Sequence, residues 1–182
     1  MKFLFEDESF SYETLRTTGF AGDGGAALVL DDGLYDYQEP HLALLPPFLR
    51  DWVTSGRDDL ADPVLGLLMQ VDTQTRWALR NGVWTFGASS VGDYVRRTGA
   101  YTLDGVAQLI DCPTLILDAE NDQFFRGQPQ RVQAALTCPH TLVTLPEDEG
   151  AGEHCHAGAM TRFHQVTFEW LDTALSGTPG AA

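Results

Sequence analysis

The sequence predicts an α/β fold built on a parallel sheet. Three short apolar runs, residues 26–30, 114–117 and 141–145, each stop abruptly in polar or acidic residues, as buried parallel strands do at their loops. Segments of helical period separate these runs. Strand and helix therefore alternate, the pattern of a sheet covered by helices.

Taken in order, residues 6–18 predict a short amphipathic helix with Phe10 and Leu15 on its apolar side. Gly19, Gly22, Gly24 and Gly25 then break regular structure; lacking both the Lys of a P-loop and the GxGxxG spacing, they read as a turn. Residues 26–30 form the first strand, ending at Asp31-Asp32-Gly33, with residues 33–37 as its loop. Residues 42–69 are helical in character, and Pro46-Pro47 and Asp62-Pro63 are expected to start helices rather than lie inside them. A helix over 72–80 is expected to stop at Asn81-Gly82 in a left-handed cap. Short helices are expected over 92–98 and 103–109. The strand at 114–117, a helix over 129–136 and the strand at 141–145 follow, then a helix over 157–174 carrying Met160, Phe163, Val166, Trp170, Leu171 and Ala174 at helical spacing. Residues 177–182 are small and read as a flexible tail.

The chain has 182 residues, enough for one substantial core, and is 43% hydrophobic and 20% charged, a globular composition. A formal net charge of -15 repels phosphate backbones and anionic lipid, so neither nucleic acid nor membrane is an expected partner. Cys112, Cys138 and Cys155 make no even disulfide framework, and a reducing, cytoplasmic setting is expected. Residues 1–8 turn acidic before a signal-peptide apolar region forms, and no apolar run reaches the ~20 residues of a membrane span.

Two residues carry the chemistry. Asp122 lies with Asp118 and Glu120 beyond the second strand, at the end of a parallel strand where α/β sites form. His154 lies in a glycine-flanked loop beyond the third strand. Acid, helix, strand, then histidine is the order in which Ser-His-Asp hydrolases assemble a base and the carboxylate that orients it. His154-Cys155-His156 is not expected to bind metal, because adjacent residues in one loop rarely converge on one ion. Cys155 would sit beside its own base rather than face it. No cofactor is expected. Gly87-Ala88-Ser89-Ser90-Val91-Gly92 is the nearest string to a Gly-x-Ser-x-Gly elbow, but its glycines are misplaced by one for both Ser89 and Ser90.

With these residues in view, the chain resembles a group of α/β-hydrolases. Cys112-Pro113-Thr114-Leu115, Gly127-Gln128-Pro129 and Glu149-Gly150-Ala151-Gly152-Glu153-His154-Cys155 are similar to the C-terminal half of pseudooxynicotine-type C–C hydrolases and fungal pigment chain-shortening hydrolases, relatives of acylaminoacyl-peptidase-like and FrsA-like proteins. Asp31-Asp32-Gly33-Leu34-Tyr35-Asp36 and Asn81-Gly82-Val83-Trp84-Thr85-Phe86-Gly87 match as well, and the resemblance covers about residues 28–175. Residues 3–25, with Phe10, Leu15-Arg16 and Gly24-Gly25, are similar to the group's N-terminus. The resemblance implies a partial α/β-hydrolase fold: an N-terminal helical segment over 1–26, a C-terminal half over 27–176 with a helical cap at about 40–110, and a tail. It places the triad's acid and histidine on Asp122 and His154. It also implies that the middle of the family's chain, with the serine elbow and the main oxyanion loop, is absent.

Two functions follow. One is hydrolysis of a C–C or ester bond next to a carbonyl in a small organic substrate, with Asp122 and His154 as the acid–base pair and the serine supplied by a partner chain or replaced by activated water. The other is a non-catalytic binding or assembly module derived from a hydrolase. Loss of central strands exposes a strand edge and an apolar face, so a homo-oligomer or a covering partner protein is expected.

Overall fold

The computed structural model describes residues 27–176; the expectations for the N-terminal helix, the glycine cluster and the tail lie outside them. The described chain divides into two compact units, one running to Tyr35 and resuming at Leu103, the other spanning Asp36–Thr102. Among the described residues no helix is long and apolar enough to cross a membrane.

The first unit holds a three-stranded sheet, β1 (Leu28–Leu30), β2 (Thr114–Ala119) and β3 (His140–Leu145), in that spatial order and parallel throughout. The α/β class predicted from three apolar runs is therefore observed. All six residues of central β2 are buried, which is why Thr114-Leu115-Ile116-Leu117 reads as a continuous apolar run rather than an alternation. Ile116 and its neighbour Leu142 face the helix Gln128–Ala135, packing with Val132 and Leu136. Leu115 and Thr141 lie on the opposite face, where Trp170 of the helix Met160–Ser176 donates its indole N–H to Thr141 Oγ1 at 3.3 Å. Helices thus flank both faces, and the carboxyl ends of the three parallel strands open on one sheet edge.

The second unit is helical: α1 (Gln38–Ala43), α2 (Pro47–Thr54), α3 (Asp58–Val71), α4 (Thr73–Thr85) and α5 (Val91–Arg97), which leaves the two helices of the first unit as α6 (Gln128–Ala135) and α7 (Met160–Ser176). Its core is Leu49, Val53, Ala61, Leu65, Tyr94 and Val95. Arg96 grips Asp58 through two hydrogen bonds of 2.7 and 3.0 Å and also pairs with Asp93 at 3.2 Å. The Asp93 carboxyl is held well below its ordinary range, first by the Ser89 backbone N–H and then by Arg97.

Three local expectations are corrected. Pro47 does start α2, but Pro63 lies inside α3. The helix continues because Ala61 and Leu65, on either side of the proline, are buried in one core, and that packing offsets a lost hydrogen bond and a ring clash of ~3 kcal/mol. Asn81-Gly82 does not cap a helix; α4 runs through it to Thr85. Gly82 is buried against the Tyr94 ring, and a Cβ there would run into that ring. The glycine is a packing notch. Residues 103–109 form only a 3-10 turn, Ala107–Leu109, where a helix was expected. After the bonds from Val106 and Ala107 to Leu103 O, the segment continues with three-residue spacing, Leu109 N–H to Val106 O and Ile110 N–H to Ala107 O, which is 3-10 and not α geometry.

The notch makes a testable pair. Gly82→Ala is expected to lower the unfolding free energy measured by denaturant titration by about 1–3 kcal/mol, the cost of overpacking, despite alanine's better helix propensity. Gly66→Ala, in α3 with open space around it, is expected to stabilise by up to about 1 kcal/mol. Equal responses of the two variants would rule out the Gly82–Tyr94 contact.

Candidate active site

Each strand end delivers one part of the site. Beyond β1, Asp31–Gly33 form a 3-10 turn in which Asp32 takes a left-handed backbone conformation (φ 57°), one that Asp tolerates better than most residues. A Cβ on Gly33 would meet the Ile116 side chain and the Pro129 backbone, so only glycine lets this turn lie against β2 and α6. Beyond β2, Asp122 Oδ1 accepts the backbone N–H groups of Phe124 (2.6 Å) and Phe125 (3.1 Å), which fixes its carboxylate. Beyond β3, the chain turns through Pro146 to Gly152 and reaches the 3-10 turn His154–His156. Asn121 N–H donates to Gly152 O at 2.8 Å, tying the acid loop to the histidine loop.

The structure brings Asp122 and His154 together. His154 Nδ1 donates to Asp122 Oδ2 at 3.1 Å, and the rings of Phe124 and Phe125 pack against the imidazole at centroid distances of 4.9 and 5.4 Å. A second carboxylate, which the sequence placed at a strand end but not in the site, is nearer: Asp32 Oδ2 lies 2.7 Å from the same Nδ1. The two have different tasks. Asp122 is aligned with the N–H and sets the ring's orientation, whereas Asp32 is the nearer charge. Both carboxylates are almost fully buried, at 4% and 5% exposed, while His154 is 32% exposed.

The electrostatic result is an imidazolium. The Asp32 carboxylate first, then Cys155 and Asp122, push His154 from 6.5 up to about 11, against the opposing effect of burial. Burial pushes Asp32 up, but the His154 contact and the Cys155 backbone N–H outweigh it, and its carboxyl is held below the ordinary value. Asp31 moves the other way: burial and then the neighbouring Asp32 charge raise it.

Cys155 departs from expectation. Its backbone is left-handed (φ 52°), which swings Sγ back to 3.4 Å from His154 Nε2, so the thiol faces the imidazole instead of standing beside it. The Cys155 N–H donates to Asp32 Oδ2 at 2.6 Å. Asp32, His154 and Cys155 form one cluster of potential metal ligands, and Asp31, Asp32 and His156 form another. The companion acids of Asp122 have structural tasks. Asp118 Oδ2 accepts from Gln130 (2.8 Å) and Thr144 (3.0 Å), and Glu120 accepts from the Glu147 N–H (2.8 Å).

Ser89 and Ser90 serve α5. Ser89 Oγ donates to Asp93 at 3.0 Å, and Ser90 Oγ accepts the Asp93 N–H at 3.2 Å as the helix cap. Val83 to Thr85 belong to α4, so no strand leads into either serine as an elbow requires. Asp32 carried a signal in the sequence, an acidic pair closing an apolar strand, but nothing local specified which loop it would meet.

Comparison with known proteins agrees with the resemblance to α/β-hydrolases. The chain is 30% identical over 138 residues to the α/β hydrolase psoB of Aspergillus fumigatus, covering 69% of this chain and 29% of that protein. It is 28% identical over 155 residues to the hydrolase LUC6 of a Fusarium species, covering 80% and 37% of the two chains. It is also 28% identical over 159 residues to the 20-hydroxy-prefusarin hydrolase FUS2 of Gibberella moniliformis, covering 82% and 38%. The chain thus spans only 29 to 38% of the length of these relatives. No family model matches, and no solved structure matches.

The charge on His154 is directly measurable. In an NMR titration with EDTA present, the imidazole is expected to keep its proton until about pH 11, and Asp32→Asn to bring the midpoint down toward 6.5. Because the folded value is raised, the stabilisation it contributes is complete below about pH 6.5 and is lost as pH rises through about 11. A midpoint unchanged in Asp32→Asn would assign the effect to Cys155 and Asp122.

Proposed function

We propose that this chain is a hydrolase of the α/β class, acting on a C–C or ester bond adjacent to a carbonyl in a small organic substrate. The observation that carries this reading is the two-sided environment of His154. Nδ1 is held by Asp122 with Asp32 beside it, which leaves Nε2 on the other edge of the ring for proton transfer. The two carboxylates hold the ring as an imidazolium, so Nε2 carries the proton that a leaving group takes up. The hydrolase names of the relatives support the same class.

The nucleophilic atom against Nε2, among the described residues, is Cys155 Sγ at 3.4 Å. In the proposed sequence the proton between sulfur and imidazole already lies on Nε2 of the imidazolium, and the sulfur, as thiolate, attacks the carbonyl carbon. The leaving oxygen or carbon takes the proton from His154, leaving a thioester. Water then gives its proton to Nε2, its oxygen attacks the thioester carbon, and the sulfur leaves as thiolate beside the restored imidazolium as the acid departs. A serine from a second chain, or water activated directly by His154, would use the same pair.

The second reading, a non-catalytic assembly module, is favoured by exposed apolar side chains: Val71, Trp77 and Trp84 are 87%, 68% and 81% exposed. It calls for self-association or a covering protein partner.

Turnover of a p-nitrophenyl ester separates the readings. His154→Ala is expected to reduce it by about 100-fold or more, the scale of a lost general base. Inactivation by iodoacetamide, absent in Cys155→Ser, assigns the nucleophile to the thiol; labelling by a fluorophosphonate assigns it to a serine. No turnover above buffer would sink the enzymatic reading for simple esters. A clean monomer by light scattering at micromolar concentration would count against the assembly reading.

A further inference from the structure

We propose that Asp31, Asp32 and His156 form a binding site for a divalent transition-metal ion of the zinc class. The site is separate from the Nε2 edge of His154 and does not depend on whether that histidine turns over a substrate.

Three buried polar atoms point at one another and have no hydrogen-bond partner among the described residues: Asp31 Oδ1, Asp32 Oδ1 and His156 Nε2. His156 is fully buried, and leaving such groups unpaired is costly. Its Nε2 stands 3.4 Å from Asp31 Oδ1 and 3.8 Å from Asp32 Oδ1, and the three atoms lie within 4.8 Å of one another. Donors bound at about 2.0–2.1 Å around a tetrahedral ion stand about 3.3–3.4 Å apart, so the triangle is close to what such an ion would draw together.

The remaining atoms of the ligands are already held as a metal site holds them. His156 Nδ1 lies 2.9 Å from the Ala151 carbonyl oxygen, an acceptor, so the ring proton belongs on Nδ1 and the Nε2 lone pair faces the carboxylates. The ring is stacked on Phe163 at 5.5 Å, which fixes its plane. Asp32 Oδ2 is taken by the Cys155 N–H at 2.6 Å and by His154 at 2.7 Å, so Oδ1 is presented in a set direction. Two carboxylates and a neutral imidazole neutralise a doubly charged cation. An imidazole nitrogen among so few donors suits zinc, cobalt or nickel rather than calcium or magnesium, which take oxygen. Three protein ligands leave a fourth tetrahedral position for water.

The competing occupant is a proton shared between His156 and the aspartates, and a second metal-binding cluster, Asp32–His154–Cys155, adjoins this one. Both are separable by experiment. The full chain, stripped with EDTA and dialysed, is titrated with Zn2+ by calorimetry and with Co2+ by absorption. Expected are one equivalent of Zn2+ and a Co2+ adduct with tetrahedral d–d bands but no thiolate charge-transfer band. His156→Gln and Asp31→Asn are each expected to weaken Zn2+ by more than about 10- to 100-fold, the loss that even an outer-shell partner causes. Cys155→Ser is expected to bind as the unmodified chain does. Asp31→Asn changes the least buried of the three ligands and serves if His156→Gln fails to fold. The proposal is overturned by absence of binding, by affinity unchanged in both ligand variants, or by a thiolate band lost in Cys155→Ser, which would move the ion to the adjoining cluster. Because binding is read without turnover, an inactive protein leaves the result intact.

Discussion

The Asp32 carboxylate is the joint on which the first unit's chemistry depends. It sits at the end of β1 and accepts the backbone N–H of Cys155, a residue 123 positions later, while standing 2.7 Å from His154 Nδ1. A buried carboxylate is costly unless it is paired, and here the pairing partners are the histidine loop itself. The loop after β3 is therefore held against the loop after β1 by the need to satisfy one charge. Asp122, fixed by two backbone N–H groups of its own turn, adds the directional bond.

That joint explains the backbone of the site. Asp32, Cys155 and His156 are the described non-glycine residues with positive φ, and all three lie at this contact. Left-handed geometry costs on the order of 1–2 kcal/mol for each such residue. It turns the Cys155 thiol toward His154 Nε2 and the His156 ring toward the aspartates, two orientations that an ordinary helical turn would not produce together. The strain is offset by the ion pair and the Cys155 N–H bond to Asp32, and it aims side chains at two separate places: a proton-transfer edge at His154 and a buried ligand triangle at His156.

The helical unit obeys the same physics with different means. Gly82 reads as a helix stop and Ser89-Ser90 as the nearest string to an elbow, and tertiary packing gives them other tasks. Gly82 admits the Tyr94 ring, while Ser89 and Ser90 satisfy Asp93 and the start of α5. An Asn-Gly pair is a strong local stop signal, but a local signal loses when the helix beyond it has a buried partner. Pro63 is overridden for the same reason.

The sequence by itself determined the strands, because a buried parallel strand leaves an uninterrupted apolar run, and it determined the order Asp122, helix, strand, His154, because that order is written along the chain. It also determined the long amphipathic helix α7 from its 3.6-residue period. Only the tertiary structure decided that Asp32 is the nearer carboxylate, that Cys155 faces its histidine, and that His156 meets Asp31. Periodicity reports which face of an element is buried, whereas convergence of side chains depends on which strand ends lie together. The parallel β1-β2-β3 register, with Leu30 beside Ile116 and Ala119 beside Leu145, places those ends on one edge. No residue near Asp32 in the chain records that His154 and His156 will arrive there.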